Sequence, residues 1–370
     1  MKKFLLYNSR SKNEPLLNEV IEALRQKNFF FTVFSNGNDA RKNGSPWLPV
    51  NTVLILVFLP LWCLLYGIVF LVRTVFSTTR TLVCIHWPEK LIISLLAKFF
   101  KWRVIWLELP DAIQPQNFFI IKFLYQWAAK KSEIIIFSQQ QEKFWEQAMS
   151  HPQSLTLLRP LTYPQSLHHQ QDLFKALADR PRHRFVIGSI IDNLDKMLIE
   201  RLLSALVVGL SVCSSLELII IGDGENRKQL LWLIRKMGLG NHVWLVGNSK
   251  DFLRWLEHVD MYVLPHENPS LEEIAQTILV MNQGIPVLGH YQACLDQVIT
   301  SRNGALIDMK DAETIARQMI HLEQAGSVRK EFGQAAKQTA KELTFEQFVL
   351  DFSLVLGAEG ENRTINKVDK

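Results

Sequence analysis

Residues 216–224 read Leu-Glu-Leu-Ile-Ile-Ile-Gly-Asp-Gly, an apolar, β-branched run that stops at a Gly-x-Gly turn. Such a run is the pattern of a buried parallel strand. A segment of helical period follows at once, over 227–237. A glycine turn between a strand end and a helix start lets a ligand approach the backbone, and the helix start offers N–H groups to an anion. Gly222, Asp223 and Gly224 are therefore the first candidates for binding a phosphorylated ligand. In an open α/β sheet, ligands sit at the carboxyl ends of the strands. His86 stands at the end of an expected strand, the strand at 104–107 ends in Glu108-Leu-Pro-Asp111, and Glu267, Glu272 and Glu273 precede an expected helix. Carboxylates ahead of a helix are also favourable for the dipole alone, so the three glutamates have a structural reading beside the functional one.

The elements that must position these groups alternate along the chain. In the first half, strands are expected at 3–7, 29–34, 81–86, 104–107 and 133–138, and helices at 14–27, 91–100 and 118–130. Leu17, Val20, Ile21 and Leu24 share one face of the first helix. Residues 160–181 are polar and proline-punctuated and read as a linker, with His168 and His169 solvated in it. Alternation then resumes. Strands are expected at 184–191, 216–221, 243–246, 261–264 and 286–288, and helices at 198–210, 227–237, 252–258, 274–282 and 311–323. Strands alternating with helices predict an α/β fold of two doubly wound parallel sheets. The predicted layout is a first domain over 1–160, a linker over 161–182 and a second domain over 183–343, then a helix over 344–357 and a disordered tail over 358–370.

Composition narrows the partners. Residues 1–180 hold 21 Lys/Arg against 12 Asp/Glu, whereas residues 181–370 hold 20 against 24, so the first half faces something anionic. No finger, RNP or KH signature is present, which argues against nucleic acid. Cys63, Cys84, Cys213 and Cys294 show no CxxC pairing and read as reduced buried thiols of a cytoplasmic protein. No signal peptide is read at the N-terminus. Residues 43–72 contain no charge, and 53–72 are almost wholly apolar, long enough to span a bilayer. Pro60 and Gly67 interrupt the run, and Arg41, Lys42, Arg73 and Arg80 flank it on both ends. A spanning helix would put strands of one sheet on opposite sides of the membrane. A helix buried in the core and a helix or hairpin lying in one leaflet are the alternatives. The basic surroundings favour the last, on an anionic bilayer surface.

The second half resembles the donor-binding domain of family 4 (group 1) glycosyltransferases, a retaining family of GT-B architecture. The resemblance rests on Phe185-Val-Ile-Gly188-Ser, the stretch from Leu218 through Gly222-Asp-Gly-Glu-Asn-Arg to Leu230, and Met237-Gly-Leu-Gly-Asn-His-Val-Trp-Leu-Val-Gly247. Val259-Asp-Met-Tyr-Val-Leu-Pro265, Gly284-Ile-Pro-Val-Leu and Asn303-Gly-Ala-Leu-Ile complete it, over roughly 183–325. Cys84-Ile-His86-Trp-Pro-Glu89 looks like a strand-end segment of the family's acceptor domain.

The resemblance implies two Rossmann-like domains facing across a cleft, the donor nucleotide on the second and the acceptor on the first. It implies a metal-independent transferase with no cofactor besides its nucleotide-sugar substrate. The acceptor is expected to be a lipid or polysaccharide, and the protein peripheral or monotopic on the inner face of a bacterial membrane. Departures from the pattern are specific. The family's phosphate-binding Arg and Lys positions hold Asp192 and Met197, with Lys196 beside the second. The two carboxylates of its Glu-x7-Glu motif fall at Leu271 and Leu279, and its acceptor-side His at Leu109. The expected donor site is therefore Gly188, Asn193, Lys196, Gly222, Asp223, Gly224, Gly247, Asn248, Asn268, Ser270, Glu272 and Glu273. His86, Glu108, Asp111 and Glu267 are the expected catalytic groups. The same departures also fit a GT-B protein that has lost catalysis and serves as a partner subunit.

Overall fold

A computed structural model describes residues 2–8, 14–35, 80–100, 102–112, 119–148, 154–164, 184–191, 193–247, 255–256, 258–291 and 295–357, together with 61, 64, 65 and 68. The chain divides into two units, one of residues 1–159 with 348–370 and one of residues 160–347.

In the first unit, strands β1 (Lys2–Asn8), β2 (Phe29–Ser35), β3 (Thr81–Cys84), β4 (Arg103–Leu107), β5 (Glu133–Ile136) and β6 (Ser154–Leu157) form one sheet in the order β2-β1-β3-β4-β5-β6. Every pairing is parallel. Helices α1 (Pro15–Gln26), α2 (Trp87–Phe100), α3 (Phe119–Ala129) and α4 (Gln139–Ala148) make the crossovers. The apolar face of α1 buries Leu16, Leu17, Val20, Ile21 and Leu24, as its spacing dictates. Trp106, Tyr125 and Trp145 form an aromatic centre with ring centroids 4.7, 5.9 and 6.0 Å apart.

The second unit runs β7 (Phe185–Ile190), α5 (Lys196–Leu210), β8 (Leu216–Ile221), α6 (Arg227–Lys236), β9 (Val243–Val246), β10 (Met261–Leu264), α7 (Leu271–Asn282), β11 (Val287–His290), β12 (Gly304–Ile307), α8 (Ala312–Gln324) and α9 (Gly326–Glu342). Its sheet is parallel in the order β12-β11-β10-β7-β8-β9. Strand β7 is flanked by β8 and β9 on one side and by β10, β11 and β12 on the other. The chain thus reverses its winding between β7 and β10. That reversal opens a crevice at the carboxyl ends of the two strands. All six residues of β8 are buried, because a parallel strand is covered on both faces. Glu217, the charged residue in that run, is paired with Arg184.

The last helix, α10 (Phe345–Gly357), lies with the first unit from Phe348 onward. Phe348 stacks on Phe137, and Lys2 Nζ donates to the Gly357 carbonyl at 2.6 Å. Arg103 donates to the Val355 and Leu356 carbonyls at 3.1 and 3.0 Å through Nη2 and Nη1, while Nε and the same Nη2 grip Glu133. Cations at a helix C-terminus satisfy its last carbonyls and its dipole together.

Several boundaries differ from the sequence reading. Helix α5 starts at Lys196 and α7 at Leu271, so Lys196 lies on a first turn rather than in a loop, and Glu272 and Glu273 lie inside α7 rather than ahead of it. Strands β6 and β12 and helices α4 and α9 are additional to the expected elements. The two strands are half-buried sheet edges. Helix α9 buries only the small residues Gly333, Ala336 and Ala340, and a Cβ on Gly333 would meet the Gly284 carbonyl oxygen at 2.1 Å. Outside the described residues lie the apolar segment save 61, 64, 65 and 68, most of the linker with His168 and His169, the expected helix 252–258 save three residues, the tail, Cys63, Cys294, Asp192 and Asn248. Among the described residues, no helix is long and apolar enough to cross a membrane. Cys84 and Cys213 are buried free thiols.

Candidate functional site

The Gly222–Gly224 turn sits against the loop that follows β7. A Cβ on Gly222 would lie 2.0 Å from the Ile191 carbonyl oxygen, and one on Gly224 2.7 Å from that of Asn193. Neither position admits a side chain without moving backbone, so both glycines serve the close approach of the two loops. Leu194, in the same loop, adopts a left-handed backbone with φ of 46°. Such strain costs on the order of 1–3 kcal/mol. Complete burial of the Leu194 side chain and a hydrogen bond from Asn226 Nδ2 to its carbonyl at 3.2 Å offset it. Asp223 is exposed, accepts from Gly224 N–H at 2.9 Å and faces Arg227 at 3.9 Å.

The helix starts along this edge are not alike. Asp195 caps α5, its carboxylate accepting from Met197 and Leu198 N–H at 2.9 and 3.2 Å. Ser270 caps α7 in a reciprocal box: its hydroxyl takes Glu273 N–H, and the Glu273 carboxylate takes Ser270 N–H at 2.6 Å. His266 lies 3.1 Å from the same carboxylate. Ser270 and Glu273 are thus committed to the cap. Helix α6 has no side-chain cap.

The crevice between β7 and β10 is bridged by charge. Glu267, just past β10, faces Lys310 Nζ at 3.1 Å through one carboxylate oxygen and Arg201 Nη1 at 3.5 Å through the other. Arg201 comes from α5 and Lys310 from the turn after β12. His290, at the end of β11, is fully buried, stacks on Tyr291 and lies 3.6 Å from Asp308. Burial pushes the Glu267 carboxyl up, but Lys310, His290 and Arg201 outweigh it and hold it below the ordinary glutamate value. Burial holds the His290 imidazole down against the opposing pull of Glu267 and Asp308, so it is neutral at neutral pH. Sequence reasoning missed Arg201, Lys310 and His290. They are far apart in the chain, and only the strand order brings them to one edge.

Residues 199–339, inside this unit, match the family model described as glycosyl transferases group 1. This unit is a group 1 glycosyltransferase domain. No curated protein matches the chain by sequence. Among solved structures, sucrose-phosphate synthase from Thermosynechococcus elongatus superposes with a TM-score of 0.71 at 16% identity, covering 96% of this chain and 98% of that one. A glycosyltransferase from Rickettsia africae gives 0.71 at 13% identity, covering 96% and 97%. The Anabaena protein HepE in complex with UDP-glucose gives 0.64 at 15%, covering 96% and 100%. The whole chain therefore has the GT-B fold.

In the glycosyltransferase domain, the remaining sequence candidates scatter. Gly188 lies within β7, where a Cβ would meet Val259 at 2.8 Å, so it serves packing. Lys196 is exposed and faces Glu200 at 3.7 Å on its own helix. Asn193 and Asn268 are exposed, Glu272 is half-buried, and Gly247 is open. Leu271 and Leu279, where the resemblance puts the family's carboxylates, are buried among apolar residues.

In the first unit, His86 and Asp111 are half-buried at the carboxyl ends of β3 and β4, with His86 edge-on to Trp87. Glu108 is buried: one carboxylate oxygen takes Lys90 Nζ at 2.8 Å and the Tyr125 hydroxyl at 3.1 Å. Burial and the Glu108 charge push the Tyr125 hydroxyl well above its ordinary value, so it stays a donor. Glu108 is thus held in a buried pair with Lys90 and Tyr125.

Proposed function

We propose that the chain is a retaining glycosyltransferase that transfers a sugar from a nucleotide-sugar donor to a lipid-linked or cell-surface polysaccharide acceptor at the inner face of a bacterial membrane. In the transfer, the bond from the anomeric carbon to the phosphate oxygen breaks. A bond to an acceptor oxygen forms on the same face, and the acceptor hydroxyl loses its proton. Negative charge collects on the leaving diphosphate, so the reaction needs cations aimed at it. The observation that carries the reading is the charged crevice at the winding reversal of a group 1 glycosyltransferase domain. HepE has been crystallised with UDP and UDP-glucose, and Staphylococcus aureus TarM with UDP and α-GlcNAc-glycerol, which supports a sugar-nucleotide donor here. On the acceptor side, the groups we assign are His86 and Asp111, with no metal required. For the membrane, Leu61, Leu64, Leu65 and Ile68 are helical, all exposed, and fall at spacings of 3, 4 and 7, one apolar helix face.

A second reading, a catalytically silent GT-B partner protein, draws on Leu271 and Leu279 in the core, Glu273 in a cap and Asp195 closing α5. The test is transfer of label from UDP-, GDP- and dTDP-sugars into lipid extract or polymer by the protein with bacterial membranes. The proposed function predicts transfer with the anomeric configuration kept, and flotation of the protein with anionic liposomes. Nucleotide binding without transfer or donor hydrolysis would establish the silent partner instead.

A further inference from the structure

We propose that Arg201 and Lys310 are the cations that receive the donor's diphosphate, and that Glu267 is their internal counter-ion, displaced when the nucleotide arrives. This rests on the nucleotide-sugar reading above and names the residues that would carry it. Three observations lead there.

The first is location. Arg201 follows β7, Glu267 follows β10, and their pair bridges the two strands between which the winding reverses. Ligands of open α/β sheets lie there. The second is what the helix starts leave over. Asp195 already takes the Met197 and Leu198 amides of α5, and Ser270 takes the Glu273 amide of α7. Both capping groups lean on negative charge, Asp195 directly and Ser270 through Glu273. A phosphate at this crevice must therefore be met by side-chain cations rather than by these amides. The third is how Glu267 is held. Each of its carboxylate oxygens faces one cation, at 3.1 and 3.5 Å. The longer contact is beyond the best range for a charged hydrogen bond, and Arg201 uses one nitrogen of its fork. Glu267 and Lys310 are partly exposed, at 31 and 52%, and Arg201 at 22%. A solute can reach all three. A diphosphate carries more charge than one carboxylate and can engage the guanidinium with two oxygens. It therefore replaces a loosely held anion with a better one. This assignment puts the cations one helical turn past Met197, and in the turn after β12.

The experiment is calorimetric titration of the full chain with UDP, GDP, dTDP and ADP, and with the matching nucleosides. For the nucleotide that binds, Arg201→Gln and Lys310→Gln each weaken the diphosphate about tenfold, the loss of one charge-assisted contact, and leave nucleoside binding unchanged. Arg201→Lys recovers part of the loss. Glu267→Gln tightens the diphosphate, because the competing anion is gone. Unliganded melting temperatures report folding, and if Arg201→Gln does not fold, Glu267→Gln and Lys310→Gln carry the test. Wild-type binding with both cation variants unaffected, or with nucleoside and diphosphate weakened alike, overturns the cation assignment while leaving the nucleotide reading intact. Weaker diphosphate binding in Glu267→Gln overturns the displacement. A wild-type chain that binds none of the four nucleotides overturns the nucleotide reading and this inference with it.

Discussion

Lys90 and Glu108 are each 1% exposed and 2.8 Å apart. A fully buried ion pair gains little over apolar packing, because desolvation offsets its attraction, but removing one partner strands a charge. Lys90→Met is expected to cost about 3–5 kcal/mol of stability, and Lys90→Met with Glu108→Leu to recover much of it, read by urea unfolding. Full stability in Lys90→Met would show that Glu108 is satisfied elsewhere. The pair also marks what is legible from residue types alone. His86, Glu108 and Asp111 look equivalent in sequence, each a polar group past a strand. Burial separates them, because Glu108 is enclosed and bound by Lys90 and Tyr125 while His86 and Asp111 are half-buried. Gly222 and Gly224 were legible as a tight turn, because a Cβ at either would lie 2.0 or 2.7 Å from a carbonyl oxygen of the facing loop. Arg201 and Lys310 were not, since no local pattern ties a helix residue to a turn 109 positions later in the chain.

At the scale of elements, the caps were written in the sequence before the helices were placed. Ser270-Leu-Glu-Glu273 is a capping-box spacing, and Asp195 precedes an apolar helical run. Reading those two signals first would have started α7 at Leu271 and α5 at Lys196. It would also have shown that Glu273 takes part in the cap of its own helix. The last helix is held by a different device. Arg103 joins Glu133 on β5 to the Val355 and Leu356 carbonyls, so one side chain links two strands and a helix end. Arg103→Ala removes charged hydrogen bonds worth about 1.5–3 kcal/mol each at partly buried sites. The expected result is lost amide exchange protection along 348–357 with strand β8 unaffected, by native-state hydrogen exchange. Unchanged protection would mean that Phe348 packing on Phe137 and the Lys2 contact hold the helix alone.

For the whole molecule, the alternation of strands and helices was sufficient to predict two parallel sheets. Strand order was not readable, because it depends on which side of β7 each crossover returns. That order sets which side chains share the crevice. By placing β10 beside β7, it brings Glu267, Arg201, Lys310 and His290 to one edge of the second unit. The proposed transfer depends on that edge binding a nucleoside diphosphate. The most direct test is thermal unfolding of the full chain titrated with UDP, GDP, dTDP and ADP. A ligand that binds only the folded state stabilises it by about 2.7 kcal/mol at a hundredfold excess over Kd. A saturable rise in melting temperature with one of the four nucleotides is expected. No rise with any of them up to millimolar concentration would contradict it.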